Sequence, residues 1–151
     1  MKLILSIVLI VFISIPPSYS KSVPIDEQIE LKSMYEVLKY ERVVDGDTFI
    51  ASGKRIRIWG IDAPEKGEIS SMAATMYLEI LLNGGELTCK LIQVDRYRRD
   101  VMNCLVAGRD IASQLVLMGM ANDYSKYSGH YYQKEEDVAK NAKRGIWKDL
   151  P

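Results

Sequence analysis

Four carboxylates, two guanidiniums and one ammonium crowd the stretch DGDTFIASGKRIRIWGIDAPE, which runs from Asp45 to Glu65. Asp45, Asp47, Asp62, Glu65 and Arg57 stand on or at the ends of two short apolar runs. Such acids and bases commonly form surface pairs that contribute little. When they converge, the same groups make a metal-and-phosphate site. A calcium loop of the EF-hand type is the first pattern to test. With Asp45 as position 1, Phe49 falls at position 5, Ile50 falls where glycine is required and Ile56 where glutamate is required, so the pattern fails. What remains is a looser oxygen site. Asp47 begins one expected strand and Asp62 follows the next, and a hairpin turn at Gly53 brings those two ends together. A hard cation such as calcium takes carboxylate and backbone carbonyl oxygens. Pro64 holds Ala63 extended, which makes the Ala63 carbonyl a further candidate ligand.

The chemistry that suits these groups is phosphodiester cleavage. Negative charge grows on the phosphate as water attacks, and a cation with one or two guanidiniums stabilises it. Arg57, five residues before Asp62, and Arg99 are the candidates for that role. A planar fork grips two phosphate oxygens at once, which a lysine cannot do. Glu65 is placed to take a proton from the attacking water. The chain has one histidine, His130, which excludes two-histidine ribonuclease chemistry and metal sites built on several histidines.

The elements that must carry these residues follow from pattern and punctuation. Val37 to Val44, Thr48 to Ala51 and Arg55 to Ile61 read as strands, with turns at Asp45-Gly46 and Ser52-Gly53-Lys54. Ser70 to Leu82 reads as a helix with Met72, Met76, Leu78, Ile80 and Leu82 on its apolar side. ELTCKLIQV and DVMNCLVAG form a strand pair around the turn Asp95-Arg96-Tyr97-Arg98. Asp110 caps a second helix that ends at Met118, and Tyr131 to Lys143 is a third, with Lys134 to Asp137 on its solvated face. Ile146 and Trp147 fold back as a core anchor. Short, mostly antiparallel strands with helices packed on them point to a small barrel.

If the hairpin turn is centred between Arg96 and Tyr97, Cys89 and Cys104 lie opposite each other, and a disulfide could join them. Closing so short a loop is worth at most about 3 kcal/mol. The alternative is a pair of buried thiols. Export favours the bond. Residues 1–20, MKLILSIVLIVFISIPPSYS, have the order of a secretory signal peptide: Lys2, an apolar run of 13 residues from Leu3 to Ile15, two prolines, then small residues. The run is shorter than the roughly 20 residues of a spanning helix. A retained membrane anchor is the competing reading. Residues 21–36 read as a polar tether, leaving one domain from Val37 to Pro151.

The whole chain has 20 basic and 20 acidic residues, and the expected domain has 17 and 16. A protein that coats nucleic acid is usually strongly basic, so any phosphate binding here is local.

The ordered motifs D-G-D-T, R-I-x-x-I-D-x-P-E, D-R-Y-x-R and G-I-W resemble the staphylococcal nuclease (thermonuclease) family from about Val37 to Trp147. The resemblance implies an α+β fold, a five-stranded OB barrel with three helices. It implies a monomeric calcium-dependent nuclease acting on DNA and RNA, single-stranded or frayed, and leaving 3′-phosphate ends. By motif position, Asp47 and Asp62 resemble the calcium carboxylates and Ala63 the carbonyl ligand. Arg57 and Arg99 resemble the phosphate-binding arginines, and Glu65 the general base or water organiser. Tyr97, Tyr124 and Tyr127 resemble the aromatic wall, on which stacking tolerates any base. The implied protein is secreted or periplasmic, with no stable membrane association once the leader is removed. Ala63 stands where a hydroxyl residue is usual in the family. Arg98 stands where the turn usually has glycine, at a cost of about 1 kcal/mol if φ is positive.

Overall fold

The computed structural model describes residues 34–149. The expected leader, 1–20, and the tether as far as 33 lie outside the described residues. Strand β1 is Glu36–Leu38, β2 Tyr40–Asp45, β3 Thr48–Ala51, β4 Lys54–Ile58 and β5 Ile61–Asp62. Helix α1, Ile69–Leu82, precedes β6 (Leu87–Val94), β7 (Asp100–Val106) and β8 (Arg109–Asp110). Then come α2 (Ile111–Leu117), β9 (Asn122–Asp123), α3 (Ser125–Ser128), α4 (Gln133–Asn141) and a 3-10 turn, Gly145–Trp147. Among the described residues no helix is long and apolar enough to cross a membrane.

The sheet runs in the order β1-β6-β7-β4-β3-β2. Its first and last members are neighbours in sequence, joined only by Lys39. They are two halves of one bent strand, so the sheet curls back on itself. Lys39 is held at the bend by Ser52, which accepts the Lys39 N–H at Oγ (2.9 Å) and donates its own N–H to the Lys39 carbonyl (2.9 Å). Counted this way the barrel has five strands: β1 with β2, β3, β4 with its continuation β5, β6, and β7. A turn at Trp59-Gly60 separates β4 from β5, where the sequence reads as one strand. Tyr35 and Glu36, which the sequence reading leaves in the tether, bond to the barrel: Tyr35 to Asn103 (2.7 Å) and Glu36 to Lys54 (2.6 Å).

The core is the barrel interior with α1 and α2 against it. Phe49, Ile56, Ile58, Leu78, Met102 and Leu115 are fully buried there. Cys89 faces Cys104 across the β6–β7 hairpin, both are buried, and they are joined at 2.11 Å. Pairing keeps that register as far as Leu91 with Met102; Ile92 is then an extra residue, and Gln93 pairs with Val101. The bulge adds twist and shifts the turn relative to the cysteines.

Three sequence readings are corrected. Helix α1 buries Ser71, Ala74, Leu78 and Leu82, while Met72, Met76 and Ile80 are exposed. Small residues face inward because this helix lies close against the chain near Gly46. Helix α4 is shorter than expected, and Glu136 within its charged run is buried. It accepts the Asp123 N–H (3.1 Å) and pairs with Lys140 (2.7 Å). Trp147 is half-buried under the Lys140 ammonium (4.6 Å) rather than in the core. The chain end is pinned instead by the Gly119–Gly145 contact, where neither glycine has room for a side chain.

Candidate active site

Thr48 pairs with Arg57 across β3 and β4, so Asp47, one residue earlier, stands beside the guanidinium. Gly46 makes this possible. A Cβ there would sit 2.8 Å from both Ala63 and Ala74, so only glycine lets α1 and the segment after β5 close on the turn. Arg57 Nη2 lies 3.1 Å from Asp47 Oδ2 and 3.2 Å from Asp62 Oδ1. The two carboxylates therefore meet at one nitrogen. Arg57 Nη1 donates to the Ile58 carbonyl (2.9 Å), which fixes the fork.

Asp47 is nearly enclosed, whereas Asp62 is open to solvent. Asp47 accepts the Ala63 N–H (2.9 Å) and the Thr48 hydroxyl (3.1 Å). Burial pushes the Asp47 carboxyl up to about 6, against the opposing pull of Arg57 and the Ala63 N–H. The oxygen donors suit a hard divalent cation. Asp47 and Asp62, with the backbone at Ala63, are the residues that could hold one. Among the described residues no three metal-binding side chains cluster, so such an ion would draw its remaining ligands from water or substrate.

The parallel pairing of β4 with β7 sets Ile56 against Asp100 and brings Arg99 to the same end of the barrel. Arg99 is held by Asp95, which takes its Nε–H at 2.7 Å and its backbone N–H at 2.9 Å. Asp95 also accepts the Tyr97 N–H (2.9 Å). Burial alone would raise the Asp95 carboxyl, but the donors from Arg99 and Tyr97 outweigh it and hold it below its usual range. Arg98 has φ 60, the left-handed conformation its usual glycine would adopt freely.

Asp47, Arg57, Asp62, Ala63, Glu65, Tyr97, Arg99, Tyr124 and Tyr127 all line one cleft of about 920 Å³. Glu65 is exposed on the segment after Pro64. Tyr124 reaches the cleft because β9 pairs with β5 and the Tyr124 N–H bonds the Gly60 carbonyl (2.9 Å). Its ring meets that of Tyr127 edge-on at 4.8 Å. Tyr97 is covered by Arg96 (4.7 Å) and Arg99 (5.4 Å). The sequence reading missed Asp95 as the organiser of the turn. Its signal was an acid four residues before Arg99. Asp45 also lines the cleft, and its Oδ1 accepts the Asp47 N–H at 3.3 Å.

Fold and site define an OB-type barrel with an acid–guanidinium cleft at one end, walled by tyrosines. The chain belongs to the family described as Staphylococcal nuclease homologue, which residues 55–149 match. Arg57, Asp62, Glu65, Arg99 and the tyrosines fall within that span, and Asp47 precedes it. The chain is 29% identical over 121 residues to the Succinoglycan biosynthesis protein ExoI of Rhizobium meliloti (strain 1021), covering 72% of this chain and 63% of that one. It is 30% identical over 115 residues to a Probable endonuclease LCL3 of Schizophyllum commune, covering 61% and 39%. An Uncharacterized endonuclease of Escherichia coli is 32% identical over 115 residues, covering 72% and 74%. The chain thus spans less than two thirds of the length of the first two relatives.

Proposed function

We propose that the chain is an exported nuclease that hydrolyses phosphodiester bonds of DNA and RNA with calcium, with little sequence specificity and as a monomer. The observation that supports this reading most is the meeting of Asp47, Arg57 and Asp62 in a cleft that also holds Glu65, Arg99 and three tyrosines. Water adds to phosphorus and the bond to the 5′ oxygen breaks, leaving a 3′-phosphate and a 5′-hydroxyl. Glu65 orients the water and takes its proton. Arg57 and Arg99 bind the phosphate oxygens and stabilise the charge that grows on them. Tyr97, Tyr124 and Tyr127 hold base and sugar. Asp47, Asp62 and the Ala63 carbonyl would hold calcium, which when bound neutralises phosphate charge.

A plasmid-degradation gel with calcium or with chelator tests the proposal. Degradation with calcium and none with chelator is expected, and an intact plasmid in both lanes overturns it. A second reading, an OB module that grips single strands without cutting, is favoured by one observation: both arginines already have carboxylate partners. That module would retard the nucleic acid on the gel in either lane and leave it whole.

A further inference from the structure

Beyond the cleft lies a second groove, of about 500 Å³, lined by Tyr35, Trp59, Lys90, Ile92, Asn103 and Tyr131 among others. It is continuous with the cleft in two ways. Trp59 lines both cavities. Strand β6 also borders both, Lys90 and Ile92 on the groove and Gln93 and Val94 on the cleft.

The groove is firmly built. Trp59 meets Tyr131 edge-on at 5.6 Å, and Tyr131 meets Tyr132 at 5.0 Å. Tyr132 is buried and donates its hydroxyl to Asp110 (2.9 Å), which also caps α2. Asn103 bonds Asp110 (3.3 Å) and takes the Tyr35 hydroxyl (2.7 Å). The aromatic side is thus held by Tyr35, Asn103 and Asp110, which also line the groove, while Tyr131 is 66% exposed. An exposed ring on a fixed support, with an ammonium nearby, is the chemistry that takes a nucleobase and its phosphate.

We propose that the nucleic-acid strand continues out of the cleft over Trp59 and lays a further nucleotide in this groove, its base stacked on Tyr131 and its phosphate near Lys90. This rests on the nuclease reading of the cleft, but it is a separate claim about how far the strand is held.

The test measures binding and cleavage for wild type, Tyr131→Ala, Tyr131→Phe and Lys90→Gln. The ligands are a single-stranded oligonucleotide of about 16 nucleotides, the upper end of what one OB fold covers, and a dinucleotide that fills the cleft alone. Binding is read by fluorescence anisotropy in chelator, cleavage in calcium. Tyr131→Ala should weaken the long ligand roughly tenfold and leave the dinucleotide unchanged. Tyr131→Phe should keep wild-type affinity, because the ring remains. Lys90→Gln should weaken the long ligand and flatten its salt dependence. Equal affinity of wild type and Tyr131→Ala for the long ligand overturns the proposal, even if cleavage proceeds. Equal weakening of both ligands does so too, since it would mean a general disturbance of the cleft. A wild type that never cleaves, yet binds the long ligand through Tyr131, supports the groove and removes the nuclease reading.

Discussion

Asp47→Asn should make the protein more stable at neutral pH and leave it catalytically dead. The argument starts from the carboxyl's position. Burial carries it from 3.8 to about 6 in the folded state, and Arg57 at 3.1 Å only partly offsets this. Between those two pH values the native state holds a proton that the unfolded chain has lost. Stability from this group is therefore fully present below about pH 4 and falls as pH rises to 6. The difference amounts to about 3 kcal/mol once Asp47 is ionised. Asparagine removes the charge and keeps the shape, so that pH-dependent loss disappears. Part of the gain is returned because Arg57 is left with Asp62 as its only carboxylate partner. A net gain of about 1–2 kcal/mol at pH 7.5, and none at pH 4, is expected. Urea unfolding in chelator at the two pH values measures it. Calcium should raise the stability of wild type and not of the variant. If Asp47→Asn were equally destabilising at both pH values, the argument from burial would be refuted. Arg57 and the Ala63 N–H would then offset the desolvation of Asp47 in full.

Other expectations are simpler. Glu65→Gln and Arg57→Ala should each lower turnover roughly a thousandfold with the fold retained, as read by initial rates and circular dichroism. Replacing both cysteines by alanine should cost about 3 kcal/mol, a fall in Tm near 10 °C by calorimetry, because 15 residues separate them. Gly119→Ala should cost about 3 kcal/mol or more, since its φ is 66 and a Cβ would strike the Arg144 carbonyl. Gly108→Ala, with φ 75 but open space, should cost about 1 kcal/mol. Equal losses in the two glycine variants would remove the packing argument at Gly119.

Local pattern made much of the barrel legible before any coordinates. Alternation placed β3 and β4, and Asp110 announced α2 through its own hydrogen bonds to the Ala112 and Ser113 N–H groups (2.8 and 3.3 Å). The unread parts all depend on partners distant in sequence. Met72, Met76 and Ile80 look like core by type, yet the close approach at Gly46 selects the small-residue face of α1. Glu136 reads as solvated until Asp123 is seen to donate to it. The bend at Lys39 depends on Ser52, and the break after β4 on Met102, whose carbonyl takes the Trp59 N–H, and on Tyr124, whose N–H bonds the Gly60 carbonyl. In the cleft, residue types were readable and partners were not: nothing local says that one nitrogen of Arg57 serves two acids, or that Arg99 leans on Asp95.

The β6–β7 hairpin is covalently fastened at its root and jogged by an extra residue at Ile92 before its tip. Asp100, the first residue after the tip, pairs with Ile56 of β4 as well as with Val94. Asp95 ties the five residues from Asp95 to Arg99 to one another through the Tyr97 and Arg99 N–H groups. The Arg99 guanidinium thus enters the cleft from a turn braced on itself and stitched to the sheet immediately behind it.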